Sequence, residues 1–349
     1  MRILINGFGR IGRCVMRAYA EAYTDESIQI VAINTPKASA EELGHLLKYD
    51  STHGRFPYNI RYGPDWIDLC GKKISLSDVR NPEGIERDDI DIVLECSGAF
   101  NTIEAASNHK YAKCVIVSAP CNGCNDTIIL GVNQEKLLST RHALKEVGKN
   151  RRDKDFPIVL SAGSCTTNCC APIMYALNNA IGIEEGFVTT VHSYTSDQNL
   201  LDNRHTDRRR ARTAATSIIP TSTGVGKLLG QVIPALRNNI GAAALRVPTT
   251  NVSLIDFKFE AKHRTSREDI LEIMKIAEKA HPTIISVINE ELVSIDFNHT
   301  SYSAIFDATQ TEVINGKFCR IVAWYDNEWG FANRMLDIAN IISLSNNQR

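Results

Sequence analysis

The stretch Arg2-Ile3-Leu4-Ile5-Asn6-Gly7-Phe8-Gly9-Arg10-Ile11-Gly12-Arg13 decides the fold. RILIN is a short apolar run with the length of a strand, and the residues from Arg10 to Tyr23 carry a helical apolar spacing. Between them the chain turns through glycines. Gly7, Gly9 and Gly12 fit the G-x-G-x-x-G pattern, although Asn6 before it and Arg13 after it are unusual. Glycines at such a corner allow a tight turn and close approach of the backbone, and the helix N-terminus offers unpaired N–H groups to a pyrophosphate. The setting at a strand–turn–helix corner predicts a dinucleotide site. An ordinary structural turn is the bland alternative.

Working outward, strand patterns at Ile28–Asn34, Ile90–Glu95, Cys114–Ser118 and Thr127–Leu130 alternate with connecting segments, which predicts a parallel, doubly wound α/β sheet. The second half changes character. Long alternating stretches at Gly186–Tyr194, Leu245–Lys262, Leu292–Phe297 and Ser303–Ala308 predict an α+β domain with a mostly antiparallel sheet. Asn315-Gly316 predicts a hairpin turn ahead of Phe318–Tyr325, Arg267–His281 a helix, and 327–344 a final amphipathic helix. The expected division is a cofactor domain over 1–164, completed by the helix 328–349, and a catalytic domain over 165–327. The polar stretch TRHALKEVGKNRRDKD (140–155) predicts a solvated insertion.

At 349 residues the chain has room for two domains of roughly 150 each. The 39 basic and 40 acidic residues leave a net charge of −1, which argues against broad polyanion or membrane-surface binding. No apolar run approaches the ~20 residues of a membrane span, and no secretory signal pattern opens the chain, so a cytoplasmic protein is expected. Ten cysteines are far too few for a disulfide scaffold of this length. Cys14, Cys96, Cys114 and Cys319 sit in apolar runs and predict small core residues. Cys121 and Cys124 form a C-x-x-C that invites thought of zinc or redox work. No second pair of ligands accompanies it, so no metal is expected.

The chemistry concentrates further on. SCTTNCC (164–170) lies where a strand pattern meets a helix pattern, so Cys165 stands at a helix N-terminus, where the macrodipole favours thiolate. Thr166, Thr167 and Asn168 supply groups that hydrogen-bond anions, whereas Cys169 and Cys170 face into the helix and predict packing. His192 follows at the end of the strand GFVTTVHSYT, placed to activate the thiol if that strand adjoins the helix. The other histidines include surface-type positions such as His109, His263 and His281. Arginines 204, 208, 209, 210 and 212, with Thr195 before them and Thr221-Ser222-Thr223-Gly224 and Arg246 after them, suit phosphate binding. A solvated charged face is the alternative. Nucleic acid is a weaker one, since no aromatic residues interleave.

INGFGRIGR, KYDSTHGRF, SCTTNC, HSYTSDQ, RRARTAATSIIPTSTG, LRVPTTNVS and WYDNEWGF, in order from Met1 to about Ile342, resemble the phosphorylating glyceraldehyde-3-phosphate dehydrogenases. The resemblance implies a Rossmann-type cofactor domain, a catalytic domain, a C-terminal helix returning to the cofactor domain, and a homotetramer. It implies Cys165 as nucleophile and His192 as base. Thr195, Arg210 and Arg246 would hold the substrate's phosphate, and Ser164, Thr166, Thr223 and Gly224 the attacking inorganic phosphate. Gly7, Gly9, Arg10, Ile11, Thr35, Arg80, Ser97, Gly98, Ser118 and Asn327 would contact the cofactor. Implied substrates are glyceraldehyde 3-phosphate and inorganic phosphate, with no membrane or nucleic-acid partner required.

The sequence departs from the family in four places. SAGSCTTN (161–168) replaces SNASCTTN, Phe331 replaces a tyrosine, and the 140–155 stretch is long. Thr35 and Asn203-Arg204 replace an aspartate and a Leu-Pro pair. An acidic residue at the tip of the second strand holds the adenosine ribose and repels the 2′-phosphate of NADP. Here that strand ends Asn34-Thr35-Pro36-Lys37, so use of both NAD and NADP is expected. Two other functions compete. An erythrose-4-phosphate dehydrogenase would share the thiol chemistry, and a Cys-His hydrolase or acyltransferase would need neither nucleotide domain nor phosphate pockets.

Overall fold

The computed structural model describes residues 1–22, 27–147 and 157–343. The chain divides into two units. The first comprises Met1–Ile128, Asn133–Gly163 and Ala332–Arg349, and the second Ile129–Val132 and Ser164–Phe331.

Among the described residues, the first unit carries a nine-stranded sheet in the order Asp126–Thr127, Ile158–Ser161, Cys114–Val117, Ile92–Glu95, Arg2–Asn6, Gln29–Asn34, Lys72–Ser77, Trp66–Leu69, Ile60–Tyr62. The first seven run parallel and the last two add an antiparallel edge. Arg2–Asn6 lies mid-sheet between Gln29–Asn34 and Ile92–Glu95, with Ile3, Leu4 and Ile5 fully buried, as a strand covered on both faces requires. The helix Arg10–Ala22 follows it directly, and Tyr23 lies outside the described residues. Within this unit the C-terminal segment is tied back by the Ser27 hydroxyl donating to Asn340 Oδ1 at 2.7 Å.

Among the described residues, the second unit holds a seven-stranded mixed sheet in the order Ile219–Thr221, Ile240–Val247, Ile183–Ser193, Ser253–Ala261, Phe318–Tyr325, Ala304–Ile314, Ile285–Ile288. Antiparallel pairs predominate, with parallel pairs between Ile183–Ser193 and Ile240–Val247 and between Ile285–Ile288 and Ala304–Ile314. Helices Cys165–Ile181 and Arg267–Ala280 pack on each other and on this sheet. Asn315 and Gly316, at φ 51° and 70°, make the hairpin turn between Ala304–Ile314 and Phe318–Tyr325.

Several expectations need correction. Leu245–Lys262 is two strands, Ile240–Val247 and Ser253–Ala261, because Pro248 and the positive φ of Val252 (65°) break the run. Leu292–Phe297 closes as the 3₁₀ turn Ser294–Phe297, with Asp296 accepting from the Val293 N–H at 2.8 Å. Only Thr127 of the Thr127–Leu130 pattern is strand, as the second residue of Asp126–Thr127, since the chain passes on to the Gly131 turn at φ 86°. The 140–155 stretch is not a solvated insertion at its start: 140–147 belong to the helix Lys136–Val147, with Thr140 and Leu144 buried. Residues 148–155 lie outside the described residues.

The final helix is Trp329–Ser343, and it is covered beyond its apolar face. Phe331, Met335, Leu336, Ile338, Ala339 and Ile342 are buried, and so are Asn333 and Arg334. His109 is no surface residue, being fully buried between Glu95 and Tyr111 at 2.9 and 2.8 Å. Cys14, Cys114 and Cys319 are buried, whereas Cys96, at a strand's end, is only half-buried.

Candidate active site

In the first unit the candidate cofactor residues gather at the carboxyl edge of the parallel strands, where open α/β sheets bind their ligands. Gly7 follows Arg2–Asn6, Thr35 follows Gln29–Asn34, Arg80 follows Lys72–Ser77, Ser97 and Gly98 follow Ile92–Glu95, and Ser118 follows Cys114–Val117. The glycine corner fits a pyrophosphate. Gly7 adopts φ 89°, and a Cβ on it would meet Ser97 Cα at 2.5 Å. A Cβ on Gly9 would meet nothing within 4 Å, so the backbone there faces open space at the start of Arg10–Ala22. Ile11 lies in that first turn. Arg10 is ion-paired with Asp50, holding that carboxyl well below its usual range, and the Thr52 and His53 N–H groups donate to its other oxygen at 2.9 Å. KYDSTHGRF is thereby fixed against the glycine corner. Ser97 is positioned by the buried Glu95, which accepts from its N–H at 2.8 Å and its hydroxyl at 2.5 Å. Glu95 also accepts from Asn6 Nδ2 at 2.6 Å.

The tip of the second strand is more crowded with charge than its own sequence indicates. Asn34 is buried, and its Oδ1 accepts from Ser77 Oγ at 2.8 Å and Val79 N–H at 2.9 Å. Thr35 donates its N–H to Ser77 O at 3.0 Å. Lys37 takes φ 62° and donates its N–H to Asp78 Oδ1 at 2.8 Å. A carboxylate therefore reaches this tip from the neighbouring strand's loop.

In the second unit Cys165 is the first residue of Cys165–Ile181, capped by Ser164, whose Oγ accepts from the Thr167 N–H at 3.1 Å. His192 is the last residue but one of the strand Ile183–Ser193, and parallel register sets it opposite Arg246. Cys165 Sγ and His192 Nε2 are 3.4 Å apart. The imidazole Nδ1 lies 2.7 Å from Ser193 O and 2.8 Å from Arg246 Nη1, which itself donates to Ser193 O at 3.0 Å. A ring nitrogen either donates or accepts. With Nδ1–H on the Ser193 carbonyl, Nε2 carries the lone pair that faces the thiol. With Nδ1 accepting from Arg246, Nε2–H supports a thiolate instead.

Burial pushes the Cys165 thiol up and the His192 imidazole down to about 3. The Arg246 guanidinium draws the thiol back down, aided by the Thr166 hydroxyl and the N–H groups of the helix's first turn, and further disfavours imidazolium. The helix-start argument thus has the right sign, but burial is the larger effect in the resting site.

Tyr325 joins the two halves of the pair. Its hydroxyl lies 2.9 Å from Thr166 Oγ1 and 2.8 Å from Thr190 Oγ1, and its ring meets His192 edge-on at 5.9 Å. Thr166 spends one of its bonding positions there. Of the candidate phosphate ligands, Arg246 touches the pair and Arg210 lies within electrostatic range of Arg246. Arg210 is ion-paired with Asp197 and donates Nε to Thr221 Oγ1 at 2.8 Å. Thr195 and Gln198 close a turn, with Gln198 N–H donating to Thr195 O at 3.0 Å. Gly224 is exposed at the N-cap of Val225–Val232, where the Thr223 hydroxyl accepts from Val225 N–H at 3.4 Å. Arg246 Nε and Gln198 Nε2 are buried donors without an acceptor, the condition of groups arranged for an oxygen-rich ligand.

Asn327, also in this unit, accepts from Ser193 Oγ at 3.0 Å and Ser253 Oγ at 2.9 Å, which fixes its amide orientation. Arg204 is exposed, its N–H donating to Asn203 Oδ1 at 2.7 Å. Tyr325, Asp197, Gln198 and Asp78 were not picked out from the sequence. The first three lie inside motifs quoted above, but nothing in their spacing marks whom they touch.

A thiol and an imidazole at bonding distance beside a buried guanidinium, in a chain that also carries a glycine-cornered parallel sheet, are features that fit a nucleotide-linked dehydrogenase. Residues 1–103 match the family described as glyceraldehyde 3-phosphate dehydrogenase, NAD binding domain, and residues 164–327 match its C-terminal domain. Glyceraldehyde-3-phosphate dehydrogenases of Xanthobacter flavus and Cereibacter sphaeroides are 45% and 44% identical, each alignment covering 97% of this chain and 97% of the relative. That of Geobacillus stearothermophilus is 41% identical over 98% of both chains. The chain belongs to the glyceraldehyde-3-phosphate dehydrogenase family.

Proposed function

We propose that Cys165 and His192 carry out the phosphorylating oxidation of glyceraldehyde 3-phosphate to 1,3-bisphosphoglycerate, with NAD or NADP as oxidant. The family and its relatives support that reaction, and they do not favour the erythrose-4-phosphate alternative. The observation that carries the residue assignment is the 3.4 Å Cys165–His192 contact beside a buried guanidinium with an unpaired Nε.

His192 Nε2 takes the thiol proton as Sγ attacks the aldehyde carbon and returns it to the oxygen of the adduct, giving a hemithioacetal on Cys165 and a neutral imidazole again. The glycine corner and the first turn of Arg10–Ala22 would hold the cofactor's pyrophosphate, with Arg10, Ile11, Thr35, Arg80, Ser97, Gly98, Ser118 and Asn327 as further contacts. When bound, the nicotinamide supplies the acceptor for the hydride that the hemithioacetal loses. His192 takes the hydroxyl proton of that adduct, which leaves a thioester on Cys165. Arg246, Arg210 and Thr195 hold the substrate's own phosphate, and the chemistry of their donors suits a dianion. Inorganic phosphate, placed by Ser164, Thr166, Thr223 and Gly224, attacks the thioester carbon and releases its own proton to solvent, while Cys165 leaves as thiolate and recovers its proton from His192.

The finer cofactor reading rests on charge at the second strand's tip. Thr35 brings no negative charge and Lys37 brings a positive one, while Asp78 restores a carboxylate whose Oδ1 is engaged by the Lys37 N–H. Use of both cofactors, with Asp78 limiting the NADP share, follows from that balance. Exposed Leu200, Leu201 and Ile218, on either side of the arginine-bearing stretch, support a subunit contact there, as the homotetramer implied by the family resemblance would need. A cytoplasmic location agrees with ten free thiols, and no helix among the described residues is long and apolar enough to cross a membrane. The test is a steady-state assay of nicotinamide reduction with glyceraldehyde 3-phosphate, with and without inorganic phosphate. Phosphate-dependent turnover is expected, and sustained phosphate-independent turnover overturns the reading.

A further inference from the structure

The parallel ladder between Gln29–Asn34 and Lys72–Ser77 ends at the Asn34–Ser77 pair, and Asp78 and Val79 lie in the loop beyond it. Asp78 is exposed. Its Oδ1 accepts from the Lys37 N–H at 2.8 Å, and its Oδ2 has no partner among the described residues. Lys37 sits in the left-handed region at φ 62°, an uncommon place for a lysine, so the Asp78 carboxylate also braces that turn.

One buried amide holds this loop. Asn34 is 2% exposed. Its Nδ2 donates to Val79 O at 2.8 Å and to Asn6 Oδ1 at 2.7 Å, while its Oδ1 accepts from the Val79 N–H at 2.9 Å and Ser77 Oγ at 2.8 Å. Both donors and both acceptor positions of the amide are used. The two backbone groups of Val79 thus end on a single side chain, and the Val79 side chain seats on the apolar cluster containing Leu4, Ala32 and Val93. Asp78, the next residue back along the chain, leaves this anchor in a fixed direction.

The way the amide faces is dictated from two strands away. Strand Ile92–Glu95 flanks Arg2–Asn6 on the side opposite Gln29–Asn34. Glu95 Oε2 accepts from Asn6 Nδ2 at 2.6 Å and lies 2.9 Å from His109 Nε2. A carboxylate has only acceptors to offer, so Asn6 turns its Nδ2 to Glu95 and its Oδ1 to Asn34. Asn34 then presents Nδ2 to Asn6, which leaves its Oδ1 for the Val79 N–H.

We propose that Asn34 is a positioning residue for cofactor discrimination that acts by holding Asp78 at the second-strand tip, a role that rests on the reading of that tip as the ribose end of the cofactor site. Held there, the unpartnered oxygen of Asp78 is available to the ribose hydroxyls of NAD and opposes the 2′-phosphate of NADP. Without the amide, Val79 loses both of its backbone contacts, the carboxylate is no longer fixed, and the penalty on NADP falls.

The experiment titrates the cofactor-free, full-length protein with NAD and with NADP by isothermal calorimetry, for the wild type, Asp78→Asn, Asn34→Ala and the double variant. The readout is the Kd for NADP divided by the Kd for NAD, because general loosening of the domain weakens both cofactors together and leaves that ratio unchanged. Asp78→Asn is expected to lower the ratio by roughly 10-fold, through loss of one like charge near a phosphate. Asn34→Ala is expected to lower it by a comparable factor, and by less than about 2-fold more in the Asp78→Asn background, since the amide acts through that carboxylate. Where Asn34→Ala does not fold, Ser77→Ala takes its place: it removes one of the four contacts from a half-buried position and should shift the ratio the same way by a smaller factor. An unchanged ratio in the amide-loop variant beside a lowered one in Asp78→Asn overturns the positioning role alone. Full, independent effects of both substitutions in the double variant overturn it as well. An unchanged ratio in Asp78→Asn overturns the ribose reading of the tip, and the proposal with it.

Discussion

Replacing Arg246 by glutamine removes one positive charge from the centre of the site while leaving a polar side chain of similar reach. The guanidinium Nη1 lies 2.8 Å from His192 Nδ1, and His192 Nε2 lies 3.4 Å from the Cys165 sulfur. Across the imidazole ring, the charge and the sulfur are therefore no more than about 8 Å apart. At an effective dielectric constant of about 20 their attraction is about 2 kcal/mol, or about 1.5 pH units. The same charge opposes protonation of His192, so its removal raises the proton affinity of both groups. Both titration steps of the coupled pair must then move to higher pH, whichever group each step is assigned to. The assay is the pH dependence of Cys165 alkylation by iodoacetamide in the cofactor-free protein, compared between wild type and Arg246→Gln. An upward shift of about 1 to 1.5 units is expected. The variant should also lose a charge-assisted phosphate contact, raising KM for the triose phosphate by roughly 10- to 100-fold. Unchanged or lowered alkylation midpoints would refute the electrostatic role, and an unchanged KM would remove Arg246 from the phosphate site.

Cys165→Ser should abolish turnover with an unaltered circular dichroism spectrum, because a serine hydroxyl in this buried site has no equivalent activation; substantial residual activity would contradict the assignment. His192→Asn should slow turnover by ~10²–10⁴-fold with cofactor affinity unchanged, measured by fluorescence titration. Tyr325→Phe leaves the buried hydroxyls of Thr166 and Thr190 without their shared partner. It should cost roughly 1–3 kcal/mol in denaturant unfolding and loosen the Cys165–His192 geometry enough to lower kcat more than it alters KM. Thr35→Asp should depress kcat/KM for NADP selectively, and Asp78→Asn should raise it relative to NAD. Equal ratios in both variants would mean that neither residue reads the 2′-phosphate.

The glycine corner was readable from sequence because every step of it is local: a short apolar run, three glycines, then a helical period. Cys165 at its helix start and the Asn315-Gly316 hairpin follow the same rule. What escaped depended on register. That Arg246 stands directly beside His192 follows only from the parallel pairing of strands whose aligned residues are 54 positions apart. Tyr325, 159 residues from Thr166, is invisible as a partner until the sheet is assembled. His109 reads as a surface histidine among polar neighbours, and only the fold brings it to the buried Glu95 carboxylate. Asp78 is likewise supplied by a neighbouring strand, so a search along the second strand alone finds no acid. The break in Leu245–Lys262, by contrast, is a local signal, since Pro248 cannot donate to the ladder and ends the strand before it.

The central claim is that Cys165 carries the oxidised carbon as a thioester until phosphate removes it. The most direct measurement is a rapid-mixing experiment with glyceraldehyde 3-phosphate and excess cofactor in the absence of inorganic phosphate, followed by acid quench and peptide mass analysis. The account predicts a burst of reduced nicotinamide equal to the number of active sites, an acyl group on the Cys165 peptide, and resumed turnover when phosphate is added. No burst, an acyl group on any other residue, or an acyl-enzyme that phosphate fails to discharge would contradict it.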